Sequence, residues 1–286
     1  MTLIRAELLK IRRRQATWVM LGLALFLLVI IFLLGSVTFQ ITGSIEFPAA
    51  YAGISQFAFG LGGLLAVVYS AAFVGADWNW GVLRNVVARG ESRARYMLAK
   101  AAALAIVLAI ATVLIYLVGI VLAFVAGMLF NLPVESPLRG RGLQDLVDNL
   151  LLGYPVLLER ASLGFAVAVV LRSQLAGAVV GIVFFLGESI LKFTLLGATL
   201  AGRAGDFIGS GGSIELIGPE WYQFLPVGVG DYVIGAAPGG SGGLTNIIEQ
   251  FLIRPVPLPL ALLSVAIYLV SAMTVAIVVL NRQEIT

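Results

Sequence analysis

The chain has 286 residues, of which 60% are hydrophobic and only 12% charged, with a net charge of +3 and a mean hydropathy of +1.04. A soluble domain is about half apolar and about a quarter charged, so the composition points instead to an integral membrane protein. There is no cysteine and no histidine, which removes disulfides, Cys/His metal centres and His-dependent acid–base or nucleophilic chemistry.

A helix needs about 20 apolar residues to cross a bilayer, and six runs qualify: roughly 17–39, 53–75, 101–129, 149–171, 175–200 and 258–280. Their polarity does not alternate as barrel strands require. The expected fold is therefore all-α: six transmembrane helices forming one membrane domain over residues 1–286. Ahead of the first run, Ile4, Leu8 and Ile11 recur at helical spacing among Arg5, Lys10 and Arg12–Arg14. Residues 1–15 read as an amphipathic helix lying on anionic lipid head groups, the plainer alternative being a positive anchor only. Trp18 belongs at the same interface. The first run has full span length and no small-residue cleavage pattern, so it is expected to stay. Residues 40–52 form a short loop without Lys or Arg.

After the second run comes Asp77-Trp78-Asn79-Trp80-Gly81-Val82-Leu83-Arg84, followed by Arg89, Ser92-Arg93, Arg95 and Lys100. A basic segment of this kind is kept in water. Helical spacing puts Trp80, Leu83 and Val87 on one stripe with Arg84 beside it, an apolar ridge with basic flanks suited to a partner's groove. The alternative is a loop that fixes topology by charge alone. Ser92 is placed to cap the helix of the third run.

Charge sets the orientation. Twelve of the eighteen Lys and Arg fall in the N-terminal stretch, the 76–100 loop, Arg172 and Arg282; four fall on the opposite side, at Arg139, Arg141, Arg203 and Arg254; Arg160 and Lys192 lie inside runs. Acidic residues lean the other way, nine against four. The positive-inside rule puts both termini in the cytoplasm of a multi-pass protein of the cytoplasmic membrane, and an even number of spans agrees.

Further along, 130–148 is an outer loop with Pro133 and Pro137, and Leu143, Leu146, Val147 and Leu150 suggest a short surface helix leading into the fourth span. Arg172-Ser173-Gln174 is a tight turn. Glu159 and Arg160 in the fourth span, and Glu188 and Lys192 in the fifth, are costly in hydrocarbon. Counted from that turn, Glu159 and Glu188 both lie about 20 Å deep at about 1.5 Å per residue, so Arg160 is expected to meet Glu188. The cluster is either a structural ion pair or a polar lining of a transport path. Gly177 and Gly181 form a Gly-x-x-x-Gly motif for close helix packing, within the chain or across a dimer; Gly60, Gly62 and Gly63 read the same way. The 201–257 segment is Gly-rich, with two apolar pieces, Trp221–Ile234 and Leu244–Ile253, too short to span. They fit interfacial or re-entrant helices on the outer face. Gly228-Val229-Gly230-Asp231 superficially matches the Gly-x-Gly-Asp of intramembrane aspartyl proteases, but no span holds a second Asp to share its proton.

Asp77, Gly81, Leu83, Arg84, Ser92, Arg93 and Lys100 resemble the motif ahead of the third span in the second class of ATP-binding-cassette (ABC) permeases, the drug, bacteriocin and polysaccharide exporters. Val82 and Asp77 depart from it, where Thr and Glu are commoner. That family has an N-terminal elbow helix, six spans and a long outer segment between the last two. The resemblance implies an exporter's membrane subunit that pairs with a second permease copy or a homologous permease and is driven by a cytoplasmic ABC ATPase. Asp77, Trp80, Gly81, Leu83, Arg84, Val87, Arg89 and Arg93 would form the coupling interface within residues 76–96. ATP and Mg would belong to the partner, because none of Lys10, Lys100 and Lys192 follows a glycine as a phosphate-binding loop requires. No metal and no nucleic acid is implied. The rivals are a membrane anchor that assembles another complex without transporting, and a secondary carrier, for which no repeat is evident.

Overall fold

The computed structural model describes residues 2–42, 47, 49–82, 90, 92–130, 140–209, 220–238 and 256–282. Among these there is no strand. Helix α1 (Thr2–Arg13) is separated from α2 (Gln15–Thr42) by a break at Arg14. Two side chains from the first turn of α2 complete the end of α1: Thr17 Oγ1 donates to the Ile11 carbonyl and Trp18 Nε1 to the Arg12 carbonyl, both at 2.9 Å. Those are carbonyls that a helix end leaves without internal partners.

Helix α3 (Ala49–Ser55), a π-helical turn (Gln56–Leu61) and α4 (Gly62–Asn79) run end to end. Then follow α5 (Arg93–Phe130), α6 (Gly142–Leu171), α7 (Gln174–Gly209), a 3-10 turn (Trp221–Phe224), α8 (Pro226–Gly235) and α9 (Leu258–Arg282). Among the described residues six helical stretches are long and apolar enough to cross a membrane, and each overlaps one of the six expected. Some boundaries differ. Helix α5 starts well before its apolar run because Ser92 caps it, its Oγ accepting the Arg95 N–H at 3.3 Å. The Leu143–Leu150 stretch is no separate surface helix but the first turns of α6. Helix α7 extends past residue 200 to Gly209. The Trp221–Ile234 piece forms the 3-10 turn and α8, while Leu244–Ile253 lies outside the described residues.

The core is the pair formed by the α3–α4 span and α6, 67% and 61% buried against 17%, 22% and 17% for α2, α7 and α9. In lipid no hydrophobic force drives helices together, so close packing of small residues must do it. Gly164 of α6 and Gly181 of α7 both face Val67 of α4; a Cβ on Gly181 would lie 2.5 Å from Val67 Cγ1, and one on Gly164 would strike the Val67 carbonyl. A Cβ on Gly177 would lie 2.7 Å from Ala168 Cα, and Gly75 abuts the backbone of Ser173 and Gln174 at the α6–α7 turn. The motif at Gly177 and Gly181 thus packs within the chain, and both its glycines are occupied there.

Gly177→Leu and Gly181→Leu should each lower the thermal stability of the purified protein, by about 1–3 kcal/mol for overpacking. Gly187→Leu, where a Cβ meets nothing within 4 Å, should not. Equal melting temperatures for all three would show that the glycines are not the contact.

Candidate functional site

Two clusters of buried charged side chains lie at different levels among the described residues. The first sits at the end of the bundle where α1 packs. Gly81 (φ 62°) ends α4 in the left-handed conformation usual for the residue after a helix cap, its N–H reaching the Trp78 carbonyl at 3.3 Å. Just inside that end Asp77 is buried, and its Oδ2 accepts from Lys100 Nζ at 2.5 Å and from the Tyr96 hydroxyl at 2.7 Å. Lys100 is also buried, 3.7 Å from Glu7 Oε2 of α1 and 4.2 Å above the Phe73 ring. Glu7 in turn pairs with Lys10. Arg14 donates to the Phe73 carbonyl at 3.3 Å and stacks over Trp80 at 4.8 Å. Thr17 and Tyr69 share a hydrogen bond of 2.9 Å. Arg93 Nη1 donates to the Leu280 carbonyl at 3.0 Å, tying the start of α5 to the end of α9.

Of the coupling residues expected from sequence, Leu83, Arg84, Val87 and Arg89 lie outside the described residues. Trp80, the residue before Gly81, is 68% exposed. Asp77 does not face outward: its carboxylate is consumed inside, where it holds the end of α4 to α5. Glu7 was not singled out in the sequence, although its place at helical spacing beside Leu8 and Ile11, on the apolar side of α1, is the signal for it.

The second cluster lies half-way along α6. Arg160 is 0% exposed. Its Nη1 donates to the Phe59 carbonyl at 2.5 Å, its Nη2 to the Val227 carbonyl at 3.3 Å and to Asp231 Oδ1 at 2.7 Å. The Phe185 ring lies 5.2 Å from the guanidinium. The π-helical turn explains the first bond: a π turn disturbs the i→i−4 ladder and leaves carbonyls to find other donors. Gly63 and Gly230 make the room, since a Cβ on either would lie within 3.1 Å of the Arg160 side chain.

The expected Arg160–Glu188 pair does not form. Arg160 pairs with Asp231 of α8, and Glu188 of α7 instead accepts the Gly228 N–H at 2.9 Å. The reason is α8 itself. Its first amides have no internal partners and carry the positive end of the helix dipole, so a carboxylate at that depth is drawn to them. At the other end of α8, Asn149 Nδ2 donates to the Pro238 carbonyl at 3.0 Å. Helix α8 therefore runs from the level of Arg160 to that of Asn149, about 15 Å at about 1.5 Å per residue. That is about half of a hydrocarbon core, so it enters the bundle part-way without crossing.

Glu159 is fully buried, and neither carboxylate oxygen has a hydrogen-bond partner among the described residues; Glu188 Oε2 is likewise without one. Lys192, one turn beyond Glu188, is buried too. The sequence places Asp231 in the Trp221–Ile234 piece expected as an interfacial or re-entrant helix, but gives it no partner. The glycines at 228 and 230 are the sign in the sequence of a helix pressed against others.

In a double-mutant cycle, Arg160→Met with Asp231→Leu should give a coupling energy of about 1–3 kcal/mol, as for other charge pairs in contact. Arg160→Met with Glu188→Gln should give distinctly less. Larger coupling to Glu188, read by thermal melting in detergent, would restore the pairing expected from sequence.

No curated protein matches the chain. The family described as ABC-2 family transporter protein matches residues 3–188, which covers α1 to α6, the Asp77–Lys100 cluster, Arg160 and Glu188. With that match over well over half of the 286 residues, and six helices able to span a membrane, the chain belongs to the ABC-2 family as a membrane permease of an ABC transporter.

Proposed function

We propose that the chain is the membrane-spanning subunit of an exporter that works as a pair of permeases driven by a separate cytoplasmic ATPase, which binds the ATP and its magnesium. The observation that carries this reading is the Glu7–Lys100–Asp77 cluster. It clamps both ends of the basic loop, at the end of α4 and the start of α5, to α1. An ATPase pushing on residues 83–89 would therefore move α1, α4 and α5 together rather than bend a loose loop. Because α4 forms the core with α6, the displacement would reach Arg160 and the partly inserted α8. The polar middle, with Glu159 and Glu188 offering unmet acceptors, would line the path when α8 shifts. Nucleotide can bias such a shift only through its differential affinity for the two states. The charge distribution supports an orientation with both termini and the 76–100 loop in the cytoplasm and residues 201–257 outside. The family membership does not favour the rival reading of a non-transporting anchor.

Replacing Leu83 and Arg84 with Asp should release the ATPase on detergent purification while the permease remains in the membrane; full retention refutes the coupling role. The cysteine-free chain also allows a direct topology test. With single cysteines at Ser92 and at Ser241, an impermeant thiol reagent on intact cells should label position 241 and not 92. The reverse pattern inverts the orientation.

A further inference from the structure

Beside α1 lies a groove of about 440 Å³, walled by α1 and α2 on one side, α4 on the second and α5 on the third. Its lining is almost wholly aliphatic, including Leu21, Ala24, Leu65, Ile106, Ala111 and Ile115. Apart from Thr112 on α5, its polar groups gather at one end, where Arg12, Thr17, Trp18 and Tyr69 line it. Its rim, at Trp18, Ile106, Ile110 and Leu114, is exposed, so the groove opens sideways from the bundle.

We propose that this groove holds one acyl chain of an anionic phospholipid resident in the leaflet against which α1 lies, with the phosphate of its head group at Arg12. Three observations favour this occupant. From Ile106 to Ile115 the groove runs about 14 Å along α5 at about 1.5 Å per residue. That is about one leaflet, half of a core about 30 Å thick, so the groove is a dead end for one chain and not a route across. Along that length the walls are apolar apart from Thr112, whose hydroxyl is spent on the Leu108 carbonyl at 2.8 Å, so the groove offers hydrocarbon and no polar partner to its occupant. Arg12 at the mouth is exposed, with Arg13 exposed next to it, whereas the one carboxylate in α1, Glu7, is turned inward to Lys100. The mouth therefore presents positive charge to a head group, and Trp18 marks the interfacial level. The lipid would wedge α1 and α2 against α4 and α5, the same elements that the Glu7–Lys100–Asp77 cluster joins.

The full-length protein is reconstituted in an equal mixture of phosphatidylglycerol and phosphatidylcholine, extracted in mild detergent and weighed by native mass spectrometry. One phosphatidylglycerol should remain per chain, preferred over phosphatidylcholine by about five-fold, the effect of one arginine near an anionic surface. Arg12→Gln should bring that ratio close to one. Ala111→Phe, which fills the groove from α5, should strip lipid of both kinds. A measurement that leaves the groove unaltered accompanies these: in a chain carrying Trp78→Phe, Trp80→Phe and Trp221→Phe, acyl-brominated phosphatidylglycerol should quench Trp18 at a lower mole fraction than brominated phosphatidylcholine does. Equal retention or equal quenching by the two lipids overturns the proposal, as does a folded Ala111→Phe chain that keeps its lipid. Loss of the bound lipid on ATP turnover by the assembled complex would make it cargo, and would equally overturn a resident site. None of these readouts depends on the orientation or on the exporter role.

Discussion

A guanidinium wholly buried in an apolar bundle needs acceptors from the protein for most of its donors, since an unanswered charge there is costly. Much of the middle of this molecule follows from meeting those of Arg160. The π turn frees the Phe59 carbonyl, and glycines at 63 and 230 let two helices close around the side chain. Helix α8 brings Asp231 and the Val227 carbonyl from the far side. A short helix ending in mid-bundle then exposes its own leading amides, and Glu188 from α7 answers them. One charge on α6 thus fixes the depth and partner of α8, and through α8 the role of a carboxylate on α7.

The two polar clusters suit different tasks. In the cluster around Asp77 and Lys100 each acid faces a base, and aromatic rings from Phe73 and Tyr96 cover it; Glu7 Oε2 alone there makes no hydrogen bond among the described residues, 3.7 Å from Lys100. It is built to hold three helices in a fixed relation. The cluster around Arg160 leaves the Glu159 oxygens and Arg160 Nε without hydrogen bonds among the described residues. An arrangement with open valences at its centre is suited to more than one conformation, in which the same groups find other partners.

The spans, their number and the charged residues inside them were legible because hydrocarbon imposes a length and a penalty that show in any window of sequence. The Ser92 cap was legible because capping is local. What could not be read was pairing across sequence distance. Depth counting brings Arg160 and Glu188 to one level, but it has no way to place α8 against both of them, since 201–257 carries no length constraint. Asp77 stood in a motif that suggested a partner surface, yet its carboxylate is buried, because an acid and a lysine 23 positions apart close the base of a helical hairpin. Gly177 and Gly181 left packing and pairing equally open; the approach to Ala168 and Val67 separates them.

The π turn at Gln56–Leu61 also has a bearing on how the second span tolerates change in length. One residue advances an α-helix by about 100° of rotation and about 1.5 Å of rise, and the wider turn absorbs such an extra residue without breaking the span. Excising one residue there would restore an uninterrupted α-helix with α3 and α4 close to their present phase, so Ser55 would still face Tyr116 and Asn149. The loss would fall on the turn itself, where the Phe59 carbonyl would rejoin the helix ladder and leave Arg160 Nη1 without its acceptor. The same excision elsewhere in the span would turn α3 by nearly a third of a revolution relative to α4, so the π turn acts as a phase buffer between the two halves.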